Sequence, residues 1–320
     1  MKTNRLKGLA AGIILIFAGA MTAGAYDLPA LNLGFTSFVD GGLPSGTGLY
    51  AVQYLQYWNS SEFKDANGNE LLPPSAGEDL DAWISLTQII YQSDSELMFG
   101  GKWGLDVIIP YVFLDLSYSN PGPYPEDNGS GIGDIWIGPY LQWDPVMGPN
   151  GPRFVQRVEF QLIFPTGKYD RNRELNPGSN YFSFNPYWSG TLFINQKLTA
   201  SARIHYLWNA KNDDPNRGFV GAAKTQAGQA INANFAMDYT MVPNRFKVGI
   251  NGYYLKQISD TKMDGNCVPG RKEQVLGIGP GFLYSFSGDA HLFFNSYYET
   301  AAENRPEGSR INLRFVYHFK

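Results

Sequence analysis

Residues 311–319 alternate between two kinds of side chain. Ile311, Leu313, Phe315, Tyr317 and Phe319 fall on one face, and Asn312, Arg314 and His318 fall on the other. A period of two residues is that of a β-strand. In a soluble sandwich the apolar face would point into a core, whereas in an outer-membrane barrel it faces lipid and the polar face lines a wet lumen. Because this run ends the chain and is rich in aromatic residues, it favours the closing strand of such a barrel.

The N-terminus predicts export. Lys2, Arg5 and Lys7 precede an apolar run over residues 9–20, and Ala23-Gly24-Ala25 offers a cleavage site. We therefore expect residues 1–25 to be a signal peptide and the mature chain to begin at Tyr26. The apolar run is shorter than the ~20 residues that a membrane-spanning helix needs.

Eleven further segments alternate in the same way. The twelve predicted strands cover residues 49–61, 80–92, 97–115, 131–143, 153–164, 181–195, 197–209, 229–241, 245–258, 274–286, 290–302 and 309–319. The connections between them are alternately short and long, which is the pattern of outer-membrane barrels, where the short turns are periplasmic. We expect one transmembrane antiparallel β-barrel of about 12 strands over residues 49–320, with both of its ends in the periplasm.

A soluble β-sandwich would also contain many short strands. The alternating segments, however, carry charged residues such as Arg157, Glu159 and Arg203 on one face, while aromatic residues crowd the strand ends. Aromatic residues make up 15% of the chain and there are 36 glycines, which suits aromatic girdles and turn-rich β-structure. Residues 26–48 precede the first strand and are rich in Gly, Pro and Ser from residue 40 onward. This N-terminal segment could hang in the periplasm or fold into the lumen as a plug.

Five stretches, in order along the chain, carry a family resemblance. They are residues 31–42 (LNLGFTSFVDGG), 131–134 (GIGD), 164–170 (FPTGKYD), 252–257 (GYYLKQ) and 277–280 (GIGP). With these stretches the chain resembles the outer-membrane proteins linked to the meta-pathway of phenol degradation. The resemblance implies a barrel of about twelve strands whose N-terminal segment can enter the lumen, and uptake of small hydrophobic or aromatic molecules. It implies no particular set of binding residues.

Charged residues on the predicted inner face are the candidates for a selectivity filter. They are Lys102, Asp106, Asp134, Arg157, Glu159, Arg203, His205, Asp238, Lys247, Glu299 and Arg314. They could equally form ion pairs that support the wall and narrow the lumen, and their mixed signs argue against a strongly ion-selective pore. For Asp134 we favour bonds to backbone groups or to a lumen cation over a substrate contact.

Aromatic residues near the strand ends are candidates for the extracellular mouth, with a lipid-interface girdle as the alternative. They are Tyr118, Tyr124, Tyr169, Tyr181, Phe182 and Trp208.

The sequence thus predicts an outer-membrane channel or facilitator for small hydrophobic molecules in a Gram-negative bacterium. A general diffusion porin and an outer-membrane lipid hydrolase are the alternatives. We expect no enzyme activity, because none of His205, His291 and His318 lies in the hydrolase pattern, although a Ser/His pair formed in space stays open. We expect no cofactor, no metal site and no nucleic-acid partner. The expected partners are outer-membrane lipid, the barrel-assembly machinery and the solute.

Overall fold

The computed structural model describes residues 27–43 and 45–319, and within them one sheet of twelve strands closes on itself. The strands are β1 (Gly48–Phe63), β2 (Glu78–Met98), β3 (Gly101–Tyr118), β4 (Gly131–Ile132 and Ile135–Gln142), β5 (Gly151–Glu159 and Leu162–Phe164), β6 (Ser183–Phe184 and Tyr187–Phe193), β7 (Leu198–Asn209), β8 (Ala230–Val242), β9 (Phe246–Gln257), β10 (Gln274–Ser285), β11 (Ala290–Glu303) and β12 (Pro306–Phe319). No helix in this part of the chain is long and apolar enough to cross a membrane.

Every strand pairs antiparallel with its neighbour along the chain, and β12 closes the ring by pairing with β1 from Leu49 opposite Phe319 to Phe63 opposite Pro306. Closure leaves the sheet without an edge whose backbone N–H and C=O groups lack partners. The prediction of an all-β barrel of about twelve strands is confirmed.

The two faces of β12 separate as the alternation predicts. Leu313, Phe315 and Tyr317 are about 40% exposed on the outer face, whereas Asn312 and Arg314 are buried on the inner face. A barrel in a membrane presents such an outer face to lipid.

The connections define two ends of the barrel, which we call the short-turn end and the long-loop end. The turn between β2 and β3 departs from its predicted place at residues 93–96 and lies at Phe99 and Gly100, whose φ angles are 53° and 71°. Both strands therefore extend further at the short-turn end than expected. At the long-loop end, Thr225–Gln226, Thr261–Met263 and Asn266–Val268 form a small sheet that contains the exposed Cys267.

Residues 27–43, which we call the lumen segment, run inside the barrel. Asp27 lies at the long-loop end against Arg271 and Glu273, whereas Gly41 lies against Thr191 and Gln142 on the opposite side of the ring. The chain therefore passes from the long-loop end to the short-turn end before β1 begins there. The predicted signal peptide, together with Tyr26, Pro44 and Lys320, lies outside the described residues.

Candidate functional site

The lumen segment is held through its backbone by inward side chains from several strands of the ring. Asn234 on β8 accepts from Gly34 N–H at 2.9 Å and donates to Asn32 C=O at 2.8 Å. Gln56 on β1 donates to Leu33 C=O at 3.2 Å, and Tyr297 on β11 donates to Gly34 C=O at 2.9 Å. Because these donors lie on separate inward faces, the segment occupies the interior rather than one wall.

Two bidentate ion pairs anchor the segment, and they use its only two charged side chains. Asp27 pairs with Arg271 through bonds of 2.7 and 3.1 Å, and Asp40 pairs with Arg203 through bonds of 2.7 and 2.8 Å. All four side chains are at least nine-tenths buried. A buried carboxylate needs such a partner, because an isolated buried charge is costly.

The ion pair of Asp27 and Arg271 at the long-loop end has a titratable neighbour, Glu273, in the loop before β10. Glu273 accepts the backbone N–H groups of Asp27 and Leu28 at 2.9 and 3.0 Å, and its second oxygen lies 3.5 Å from Arg305. Burial raises the pKa of Glu273 to about 7, against the lowering influence of Arg305. Burial likewise raises the pKa of Asp27, and Arg271 opposes that rise.

The backbone of the segment touches the wall directly at Gly41. A Cβ atom there would lie 2.3 Å from the carbonyl oxygen of Val155 and 2.5 Å from the nitrogen of Thr191. Only glycine can pass so close to β5 and β6. This contact explains a glycine within the stretch 31–42 that carries the family resemblance.

The inner wall formed by β2, β3 and β4 is mostly apolar, with Gln88 and Asp106 as buried polar exceptions, which differs from the wet, polar lumen predicted for the whole ring. Its buried side chains are Leu80, Ala82, Leu86, Ile90, Ile108, Val112 and Trp136. The outer face of β3 is apolar too, and that of β2 carries Trp83 and Ile89 beside Ser85 and Thr87; Trp83, Ile89 and Phe113 are between 45 and 49% exposed. The sequence prediction did not include these inner-wall residues, because strict alternation of apolar and polar residues implies a polar inner face. The signal was present, since β2 and β3 carry apolar residues at both parities.

A cavity of about 160 Å³ lies between this apolar wall and the lumen segment. The segment contributes Leu31, Leu33 and Phe35, and the long-loop end contributes residues such as Leu175 and Phe219. An apolar cavity of about 150 Å³ is large enough to bind benzene. Trp136 lines the cavity and is buried, and its indole N–H has no acceptor among the described residues.

The remaining wall is polar and carries most of the predicted inward charges. Lys247 pairs with Asp238 at 2.7 Å, and Arg310 pairs with Glu299 at 3.0 Å. Asp238 also accepts a hydrogen bond from Thr199. Outside this wall, Lys102 on β3 pairs with Asp94 and Asp144 at the short-turn end. These contacts agree with the ion-pair interpretation of the inward charges.

Asp106 and Glu159 approach each other in the middle of the barrel. A Cβ on Gly138 would lie 2.7 Å from Asp106 Oδ1 and 2.3 Å from Glu159 Oε1, and neither oxygen has a hydrogen-bond partner in the described chain. Their other oxygens accept hydrogen bonds from Gln88, at 2.6 Å, and from Tyr187. Arg157 lies 4.0 Å from Glu159 and stacks on Tyr140.

His205 and Asn232 face each other across β7 and β8, also on the inner face. Both are fully buried, and neither their ring nitrogens nor their amide atoms have partners within residues 27–43 and 45–319. The structure therefore places His205 inside the barrel, as its parity on β7 predicts, with its ring packed against Tyr187.

Asp134 has a different surrounding from the other inward charges. It lies between the two parts of β4 and accepts Gly167 N–H at 3.0 Å and Ser179 N–H at 2.8 Å. These bonds hold both ends of the loop that joins β5 to β6. The sequence analysis favoured bonds from Asp134 to backbone groups or to a lumen cation over a contact with substrate. The contacts in the structure are hydrogen bonds to backbone groups.

The predicted mouth aromatics divide into two groups. Tyr169 and Tyr181 line the cavity at the long-loop end, where Tyr181 donates to Asp27 C=O at 2.6 Å and Tyr169 donates to Asp214 C=O at 2.8 Å. Trp208 instead lies on the outer face of β7 and is 38% exposed. Trp208 shares the outward parity of Tyr206, which fits the lipid-interface girdle that was the alternative to the mouth.

One Ser/His pair forms in space within the described residues. Ser285 Oγ lies 2.8 Å from His291 Nδ1, and the other ring nitrogen lies 3.1 Å from Gly288 C=O. All three residues belong to the hairpin of β10 and β11, so the contacts bridge a turn at the short-turn end. No described cluster of three or more His, Cys, Asp and Glu side chains could hold a metal ion.

The barrel is similar to solved structures of outer-membrane proteins. An outer-membrane channel from Pseudomonas putida F1 superimposes with a TM-score of 0.72 at 18% identity, covering 88% of this chain and 98% of the other. The β-domain of the Bordetella autotransporter BrkA gives 0.47 at 12% identity, covering 85% and 100%, and the translocator domain of NalP from Neisseria meningitidis gives 0.45 at 9%, covering 86% and 89%. At these identities the first likeness establishes the fold.

A search of curated protein sequences finds no significant match to this chain. The model of one protein family, described as "Putative MetA-pathway of phenol degradation", matches residues 60–315. This span takes in most of the chain, from β1 to β12. The chain therefore has the fold of an outer-membrane channel and belongs to this phenol-degradation family.

Proposed function

We propose that the protein is an outer-membrane channel that admits small hydrophobic molecules, monocyclic aromatic compounds among them. The observation that carries this proposal is the apolar cavity of about 160 Å³ between the lumen segment and the inner faces of β2, β3 and β4. Specific ligand pockets are mostly apolar with a few placed polar groups. The indole N–H of Trp136 would supply one such group for an oxygen atom of the solute.

The lumen segment argues for a selective channel over a general diffusion porin. It fills the middle of the barrel and is bound to the wall at both ends, so a wide aqueous path is not left beside it. A general porin of this fold would carry a large ionic current, whereas we expect a small single-channel conductance for this protein. A large conductance in planar bilayers would favour the porin.

The hydrolase alternative has one supporting contact, between Ser285 and His291. A catalytic dyad also needs donors for the oxyanion and a base held by a third group. Here the second nitrogen of His291 lies against the carbonyl of the same turn, and the contacts are accounted for by the hairpin. Phospholipid cleavage that is lost in S285A would support the hydrolase instead.

Filling the cavity tests the channel proposal. Val112 lies on the inner face of β3 and lines the cavity. In V112W, we expect channel-dependent uptake of toluene by intact cells to fall to that of cells lacking the protein, because the enlarged side chain takes the volume that a benzene-sized solute needs.

F113W is the matched control, since Phe113 is the residue after Val112 on β3 and is 49% exposed on the outer face. It should leave toluene entry at the wild-type rate. Folding of each variant is checked by the heat-dependent shift of the barrel on a gel. Equal entry for V112W and wild type, with both folded, would reject the cavity as the solute path.

A further inference from the structure

We propose that Arg203 and Arg314 form a carboxylate-binding site in the lumen, and that the lumen segment's own Asp40 fills it in this structure. A small organic acid entering the lumen would compete with Asp40 for these arginines. That such an acid would pass through the protein rests on the proposed channel function. Binding of a carboxylate to the two arginines can be tested without measuring transport.

The contacts of Asp40 are those of a bound carboxylate ligand. Arg203 Nε donates to Oδ2 at 2.7 Å and Nη2 donates to Oδ1 at 2.8 Å, while Arg314 Nη1 lies 3.9 Å from Oδ1. This two-bond geometry matches the planar fork of a guanidinium to a planar carboxylate. All three side chains are more than nine-tenths buried.

The wall positions both arginines without help from Asp40. The guanidinium of Arg203 stacks over Tyr187 at 4.1 Å, and that of Arg314 stacks over Phe293 at 3.6 Å. Arg314 Nε is buried and has no hydrogen-bond partner among the described residues. A positive site held by aromatic rings would therefore persist when the carboxylate of Asp40 leaves.

The backbone that presents Asp40 is strained. Val39 has a φ of 51°, in the left-handed region that β-branched residues avoid. Asp40 is followed by Gly41, which is pressed against β5 and β6. A free carboxylate would reach Arg203 without imposing this strain, so the tethered carboxylate can be displaced by a small competitor.

The short-turn end of the lumen has the charge that such a solute needs. A vestibule of about 940 Å³ there is lined by Arg153, Lys197, Arg245 and Lys247, with no Asp or Glu in its described lining, and only Lys247 of these four is paired in the site described above, with Asp238. Thr199 also lines it, and Arg203 follows four residues further along the same face of β7. A cationic path of this kind attracts anions and concentrates them near the arginines.

Chemical rescue of an emptied site provides the first test. In D40A, acetate should occupy the space left by the carboxylate and raise the melting temperature of the purified barrel by a few degrees relative to chloride at equal ionic strength. Wild type, in which acetate must first displace Asp40, should respond much less than D40A, and the D40A/R203Q double variant should not respond. If acetate fails to stabilise D40A, or stabilises all three proteins equally, the site is rejected.

A second measurement needs no variant, and so remains decisive if D40A does not fold. Benzoate added to wild-type channels in planar bilayers should raise the mean current by competing with Asp40, whereas benzamide, which has the same ring and no charge, should not. Equal responses to the two compounds would overturn the proposal. Toluene entry separates this outcome from failure of the channel function, since toluene carries no carboxylate and does not need the arginine site.

Discussion

Glu273 is a single residue in which protonation is coupled to attachment of the lumen segment. Its pKa of about 7 lies above the ordinary value of 4.5 because of burial, and Asp27 beside it adds to that rise. Detaching the segment would expose Glu273 and return its pKa toward 4.5. The attached state therefore binds more protons between these values, and its stability is full below pH 4.5 and is lost as pH rises through 7.

We expect the segment to detach more often as pH rises from 5 to 8. The loss is at most about 3 kcal/mol, which corresponds to the difference between the two pKa values. The measurement is the frequency of large-current openings in planar bilayers at each pH. E273Q, which keeps the acceptor oxygen without titrating, should show a weaker pH dependence than wild type; an unchanged pH dependence in E273Q would rule out this residue as the cause.

At the scale of elements, the lumen segment is the part whose removal should change the channel most. Leu31, Leu33, Phe35 and Phe38 are each at most 5% exposed, and burying a side chain of this size contributes about 1.5–3 kcal/mol. The wall around them is a closed ring with its own hydrogen bonds, so the barrel should persist without them.

Deleting residues 31–47 should therefore raise single-channel conductance severalfold while the barrel still folds. The control replaces the same residues with an equally long Gly/Ser segment, which keeps the length but lacks Asp40 and the apolar side chains. Both variants should conduct more than wild type. A conductance equal to that of wild type in both would mean that the segment does not obstruct the lumen.

The positions of the strands were easier to predict from the sequence than the breaks within them. All twelve strands were predicted within a few residues, apart from the β2–β3 turn, because alternation against lipid is repeated in each of them. The breaks in β4, β5 and β6 were not predicted. They occur near Gly133, Gln161 and Pro186. At these points the regular hydrogen bonds between neighbouring strands are interrupted, for example because proline has no N–H to donate. Such local interruptions do not change the alternation of apolar and polar residues, so the sequence pattern does not predict them.

At the scale of the whole molecule, the pairing of β12 with β1 decides whether the ring closes, and the two faces of β12 should respond differently to substitution. Phe315→Asp places a charge on the outer face at a cost on the order of 2 kcal/mol, and should block assembly. Arg314→Ala removes an inner-face charge near Asp40 and should alter conductance while the barrel still inserts. Membrane fractionation with the heat-shift gel measures insertion, and bilayer current measures the pore; equal effects of the two changes on insertion would contradict the assigned faces.

The candidate site was less predictable than the ring that holds it. The inward positions of Arg203 and Arg314 follow from parity on β7 and β12, but their pairing with Asp40 joins residues 163 and 274 positions away in the chain. Residues 27–43 have no repeating pattern, so their path through the lumen depends on individual contacts with the wall. The apolar cavity exists only because that path leaves one side of the ring uncovered.

The apolar inner wall also has a consequence for how β2 and β3 find their correct pairing. In most strands of a barrel, a one-residue slip would turn charged side chains toward lipid and apolar ones toward the lumen. In β3 both parities are apolar from Val107 to Leu114, so over that stretch such a slip would meet little penalty from polarity alone. The hydrogen bond of 2.6 Å between Gln88 and Asp106, together with the tight turn at Phe99 and Gly100, then carries the information that selects one register over its neighbours.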